Sequence, residues 1–201
     1  SKQRRRLSVQ SDSKFIEGVE NMDISGGGKA RRQSIQIREG EAGSHISRLF
    51  GLSKKGYAPY NPRKKNQDAL AMAEDPATAT QAILVLDGHG EAGDLVSGYY
   101  KEKYLDEVFA HAAWPGDVEG MKRASRDVLL KLERELIGNK AVDTEFSGST
   151  YVFAALRGGA LLVSNVGDSR VTLGVEVDGA IVARPVSIDH TPDAPAEKAR
   201  I

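Results

Sequence analysis

The sequence predicts an α+β fold, and three observations carry it. The apolar run Ala82-Ile83-Leu84-Val85-Leu86 ends in Asp87-Gly88-His89-Gly90, as a buried strand running into a turn would. Two helical segments follow. From Gly148 to Val186 come four strand-like runs joined by glycine-containing turns. Hairpin-joined strands, antiparallel as neighbours, and a helix with one apolar face to pack against a sheet make up that class. The 201 residues, 40% of them hydrophobic, allow one domain of ordinary size and a tail.

Taken in order, residues 1–55 read as a flexible basic tail. Residues 1–60 hold 12 Lys and Arg against 6 Asp and Glu, leaving 16 against 22 for the rest of a chain with zero formal net charge. Polar spacers such as Ser25-Gly26-Gly27-Gly28 and a lack of periodicity fit a linker. Gly28-Lys29 is no phosphate-binding loop, because Ala30 stands where Ser or Thr is required. Arg5-Arg6-Leu7-Ser8 and Arg31-Arg32-Gln33-Ser34 resemble sites of basophilic kinases, so Ser8 and Ser34 are candidate phosphorylation sites. A solvated basic tail with incidental serines is the competing interpretation.

The folded part, 56–201, is expected to open with a proline-containing loop over Tyr57–Arg63 and a short strand over Ala69–Ala73. Glu74–Thr80 makes the turn into the central strand. As antiparallel neighbours, these strands would bring Asp68 and Asp87 to one end of a sheet. Glu91 to about Ala112 reads as a helix, ended by Trp114-Pro115-Gly116. A second helix spans 117–138, where Met121, Ala124, Val128, Leu132 and Leu136 form one apolar face and Gly138 supplies a stop. Strands follow over 148–156, 160–166, 171–177 and 180–186, with turns at Arg157-Gly158-Gly159 and Asp178-Gly179. A short helix closes the chain from Ala194 to Ile201.

Composition excludes several functions. With no cysteine there is no disulfide scaffold, thiolate metal site or cysteine nucleophile within this chain. Balanced charge argues against nucleic-acid binding as the main task, and no apolar run is long enough to cross a bilayer. Absent cysteines and membrane segments make cytoplasm or nucleus the default setting.

Aspartates at strand ends, Asp68, Asp87 and Asp168, suit a hard cation such as Mg²⁺ or Mn²⁺. Such ions activate water and neutralise a phosphoryl group. Arg63 would offer a planar two-pronged phosphate ligand, and His89 a proton for a leaving alkoxide. Taken singly, each has an ordinary structural reading: a solvated basic run at Arg63-Lys64-Lys65, and a turn with an ion pair at Asp168-Ser169-Arg170.

The ordered series N-Q-D, D-G-H-G, G-S-T, N-V-G-D-S-R and D-H-T-P with E-x-x-R-I resembles the metal-dependent type 2C protein serine/threonine phosphatases, the PPM family, over roughly residues 56–201. The resemblance implies a four-layer α-β-β-α sandwich of two antiparallel sheets flanked by helices, here truncated at the C-terminus. It implies that Asp87 bridges two Mn²⁺ or Mg²⁺ ions, the Gly88 carbonyl binds one, and Asp68 holds a water on the metal. It further implies a phosphate-binding Arg63, a general acid His89, and Asp168 at a third, weaker ion. Asn165, Ser169, Arg170, Asp189 and His190 would be structural. Gln67 stands where many members have Glu, which removes a charge from the site. The family's two later aspartates, in D-G and D-N blocks, would lie past Ile201, and Asp178-Gly179 is a hairpin turn rather than a substitute. The expected activity is hydrolysis of phosphoserine and phosphothreonine in phosphoproteins. The alternative is an inactive phosphatase-like binding or regulatory module.

Overall fold

A computed structural model describes residues 33–39, 46 and 48–200. Its elements are β1 (Gln33–Glu39), β2 (Arg48–Lys54), β3 (Asp68–Asp75), β4 (Thr80–His89), α1 (Gly93–Ala110), α2 (Val118–Ile137), β5 (Gly148–Ser149), β6 (Tyr151–Arg157), β7 (Ala160–Val166), β8 (Thr172–Val177), β9 (Ala180–Pro185) and α3 (Pro195–Arg200). All pairings are antiparallel. The main sheet has the order β3-β4-β6-β7, with β5 extending the end of β4. β1–β2 and β8–β9 form two-stranded sheets. The α+β class and the sandwich of antiparallel sheets with flanking helices are therefore observed.

Alternation decides which face each strand residue serves. Ala69 and Ala73 of β3, Ala82, Leu84 and Leu86 of β4, and Tyr151, Phe153 and Ala155 of β6 join the core formed with α1 and α2. The amphipathic stripe of α2 is buried as its spacing predicts, including Met121, Ala124, Val128, Leu132 and Leu136. Asp117 caps that helix by accepting from the Gly120 N–H at 2.9 Å. A buried polar knot ties α1 and α2 to the sheet: the Tyr104 hydroxyl lies 3.0 Å from Ser125 Oγ, which lies 3.2 Å from the Tyr151 hydroxyl. Burial pushes the Tyr151 phenol up to about 12.

On the opposite face, Leu70 and Met72 of β3 meet Leu49 of β2, with Ile46 and Ile83 alongside. This second cluster corrects two expectations. The β1–β2 hairpin falls inside residues 1–55, so ordered structure begins upstream of Gly56. β2 hides its alternation because its exposed positions include the apolar Phe50 and Leu52 while the buried Ser53 is polar. Gly51 supplies the close approach: a Cβ there would come within 2.8 Å of Leu70 Cδ1. Gln81 also holds this segment, accepting from Ile46 N–H at 3.0 Å. The central strand, read from its apolar run as buried, is not buried along its whole length. Val85 is 40% exposed, because β2 covers only part of that face.

Both glycine turns form as expected. Gly158 and Gly159, and likewise Asp178 and Gly179, have positive φ in two-residue hairpin loops. The Ser8 motif lies outside the described residues, as does the Gly-rich run at 26–28. Among the described residues, no helix is long and apolar enough to cross a membrane.

Candidate metal centre

Register brings the first two acids together. Asp68 opens β3 and Asp87 nears the end of β4, and the two are direct cross-strand partners. Like charges facing each other raise the cost of ionising both. The Asp68 carboxyl is accordingly pushed above its ordinary value, first by partial desolvation and then by the Asp87 charge and a hydrogen bond with Asp87. Such a pair is relieved by a cation.

The surroundings fix Asp87 by its backbone and leave its carboxylate exposed. The Asp87 N–H donates to Thr150 Oγ1 at 3.0 Å, and the Thr150 N–H donates to the Asp87 carbonyl at 2.9 Å. Thr150 Oγ1 lies 2.6 Å from Ser169 Oγ. Gly88 is locked between neighbours: its N–H donates to the Gln67 carbonyl at 3.2 Å, and a Cβ would collide with the carbonyl oxygens of Gln67 and Gly93. The Gln67 side-chain amide turns into the same loop and donates to the Gly90 carbonyl. Its amide group thus braces the turn between β4 and α1.

A shallow depression of about 240 Å³ opens beside the acid pair, lined by Leu52, Ser53, Asp68, Leu70, Val85, Asp87 and Ser169 among others. Ser53 is buried, accepts from Asn66 Nδ2 at 2.6 Å, and donates to the Asp68 carbonyl at 3.4 Å. His89 is exposed at the end of β4, opposite Gly148 of β5. The absent side chain of Gly148 makes room for the imidazole, since a Cβ there would stand 2.8 Å from His89 Nε2.

Asp168 is exposed in the loop after β7, next to Ser169 of the depression but outside its lining. Arg63 is exposed in the turn Asn61–Lys64, also outside the lining. The Asp168 loop is braced from behind. Asn165 Nδ2 donates to the carbonyls of Gly167 and Ile188 at 3.1 and 2.9 Å, and the His190 N–H donates to the Gly167 carbonyl at 2.9 Å. Arg170 makes a two-pronged pair with Asp189, with Nε 2.9 Å from Oδ1. The ion pair of that turn is therefore to Asp189, across 19 residues, and not to Asp168 two positions away.

Thr150, Ser169 and Ser53 support the site, although sequence reasoning assigned no site role to them. Their signal was available in part: Thr150 and Ser169 sit in the G-S-T and G-D-S-R blocks, as small hydroxyl residues at strand ends. Ser53 carried no such mark.

Among the described residues, no three His, Asp or Glu side chains converge as a complete metal cage. The donors present nonetheless fit a hard divalent cation in kind. They are two facing carboxylates and an adjacent backbone carbonyl at an open strand end, room beside them for water, and no sulfur.

A family model described as protein phosphatase 2C matches residues 63–201. The chain is 32% identical over 143 residues to probable protein phosphatase 2C 35 of Arabidopsis thaliana, covering 70% of this chain and 40% of that protein. It is 34% identical over 128 residues to protein phosphatase 2C homolog 2 of Aspergillus fumigatus, covering 63% and 28%. Among solved structures, the serine-threonine phosphatase 2C from Toxoplasma gondii superposes with a TM-score of 0.60 at 22% identity, covering 86% of this chain and 54% of that one. That likeness is one of fold. The chain spans less than half the length of these two curated relatives. With a family model matched over more than half its residues, the chain belongs to the protein phosphatase 2C family.

Proposed function

We propose that this chain carries part of the active site of a protein serine/threonine phosphatase that depends on Mn²⁺ or Mg²⁺. The observation that supports it most is the cross-strand pairing of Asp68 with Asp87 at an open sheet end. Asp87 and Asp68, with the Gly88 carbonyl, would hold two divalent ions, and Asp168 would contribute to a third, weaker one. When bound, such ions supply Lewis acidity that acidifies water and neutralises phosphoryl charge.

The chain's own residues then have defined tasks. Thr150 holds the Asp87 backbone so that its carboxylate faces Asp68. His89 donates a proton to the serine or threonine oxygen as it leaves. Arg63 would take a phosphate oxygen pair with its guanidinium. The substrate is a phosphoprotein, and the proposed setting is cytoplasm or nucleus.

A second reading, an inactive phosphatase-like binding module, is favoured by the two-carboxylate donor set, which is small for a hard cation. Hydrolysis of a phosphothreonine peptide by the native protein, with and without Mn²⁺, separates the two. The enzyme reading expects Mn²⁺-dependent release of phosphate that falls at least a hundredfold on Asp87→Asn. Near-normal turnover of that variant would remove Asp87 from the site, and no turnover by the wild-type protein would favour the binding module.

A further inference from the structure

We propose that Ser97 is a positioning residue for the acid pair: its hydroxyl, reaching out of α1, fixes the backbone that delivers Asp68 opposite Asp87. Ser97 is 1% exposed and donates from Oγ to the Gln67 carbonyl at 2.6 Å. The same carbonyl accepts from the Gly88 N–H at 3.2 Å. Gln67 directly precedes Asp68, and Gly88 directly follows Asp87. One carbonyl oxygen thus joins the entry to the first acid, the exit from the second, and the first helix.

The ladder shows why this bond matters. The Asp87 N–H and carbonyl both turn to Thr150, on the side away from β3. Asp68 and Asp87 therefore face each other at a rung without main-chain hydrogen bonds, where side chains stand closest. The next rung outward, Gln67 with Gly88, holds the two strand ends together beyond the acids. Asp68 has looser ties of its own. Its N–H donates to Asn66 Oδ1 and its carbonyl accepts from Ser53 Oγ, each at 3.4 Å.

A helical serine ordinarily has a nearer acceptor, the carbonyl four residues back in its own helix. Here that residue is Gly93, whose carbonyl oxygen lies against Gly88, within 2.3 Å of where a Cβ would stand. The Ser97 hydroxyl instead crosses 30 residues of sequence to Gln67. With two donors on it, the Gln67 carbonyl has little freedom to rotate, and the Asp68 side chain inherits that orientation. Carboxylates already held opposite each other lose less freedom on taking a cation than a pair that must first converge. That step rests on the metal-centre reading of the preceding section; the placing of Gln67 by Ser97 does not.

In the test, Mn²⁺ is titrated by calorimetry, below the melting temperature, into the native protein and four variants: Ser97→Ala, Ser97→Cys, Ser125→Ala and Asp87→Asn. Ser125→Ala is the comparison for stability. It too removes a buried hydroxyl that ties a helix to the sheet, but in the Tyr104–Tyr151 knot. Ser97→Cys keeps a side chain in place with only a weak donor, and it carries the test where the alanine variant fails to fold. Both Ser97 variants are expected to bind Mn²⁺ about tenfold more weakly, with Ser125→Ala within about twofold of the wild type. Wild-type affinity in a folded Ser97 variant, or an equal loss in Ser125→Ala, overturns the positioning role and leaves the metal centre standing. No Mn²⁺ binding by the wild type, or binding that Asp87→Asn does not weaken, overturns the metal centre and the positioning role with it.

Discussion

At Gly88 the backbone has no room for a side chain. A Cβ would strike the carbonyl oxygens of Gln67 and Gly93, both backbone atoms that cannot swing aside. Gly88→Ala is expected to cost about 1–3 kcal/mol in denaturant unfolding. Gly148 contrasts with it, because its missing Cβ faces only the imidazole end of His89. Gly148→Ala should leave the melting temperature nearly unchanged while displacing His89, and lower phosphopeptide turnover of the native protein by about tenfold or more. The Asp68–Asp87 pair predicts the opposite balance of stability and function. A carboxyl with a raised folded-state value contributes stability below its unfolded value and loses it as pH rises through the folded one. In EDTA at pH 7, Asp68→Asn should therefore melt at a higher temperature than wild type, yet bind Mn²⁺ more weakly. Asp189 has the other sign. Arg170 holds its carboxyl below the ordinary range, so the pair stabilises above the unfolded value and is lost as pH falls through the folded one. A carbon-detected NMR titration should place the Asp189 inflection below 3.8, moving up toward that value in Arg170→Ala.

At the scale of elements, α2 is the clearest case of a helix held by one stripe. Leu132 is fully buried between the helix and the core of the main sheet. Leu132→Ala should cost about 2–5 kcal/mol in chemical unfolding. The β4–α1 junction works differently. Its turn is tied by Gln67, through the bond to Gly90, and by Ser147, whose Oγ accepts from the Ala92 N–H at 3.0 Å. The segment bearing Asp87 and His89 is thereby fastened to two other parts of the chain. That is the rigidity a site at a strand end requires.

Over the whole molecule, burial is uneven. The main sheet and its two helices enclose the core, whereas Leu173, Ile181 and Val182 of β8–β9 are exposed, as is Ile188 at 79%. Few buried contacts mean local opening at low free energy. Amide exchange should be slowest in β4 and β6 and faster across 172–185, and equal protection in the two regions would contradict this packing.

The sequence by itself determined the element order from Asp68 onward, the α2 stripe, both glycine turns and the family, because each depends on local periodicity or a contiguous motif. It also placed Asp68 and Asp87 at one sheet end, since a short connection between two strands leaves little choice but antiparallel pairing. Tertiary structure alone decided the rest. β2 shows its value only where Leu49 meets Leu70 and Met72. Register made Asp68 and Asp87 direct partners, a matter of which residues face each other across strands and not of which residues are present. Contacts such as Arg170 with Asp189, or Thr150 with the Asp87 backbone, join residues 19 and 63 positions apart. Such pairings leave no periodic trace, because they arise from how strand ends converge in space.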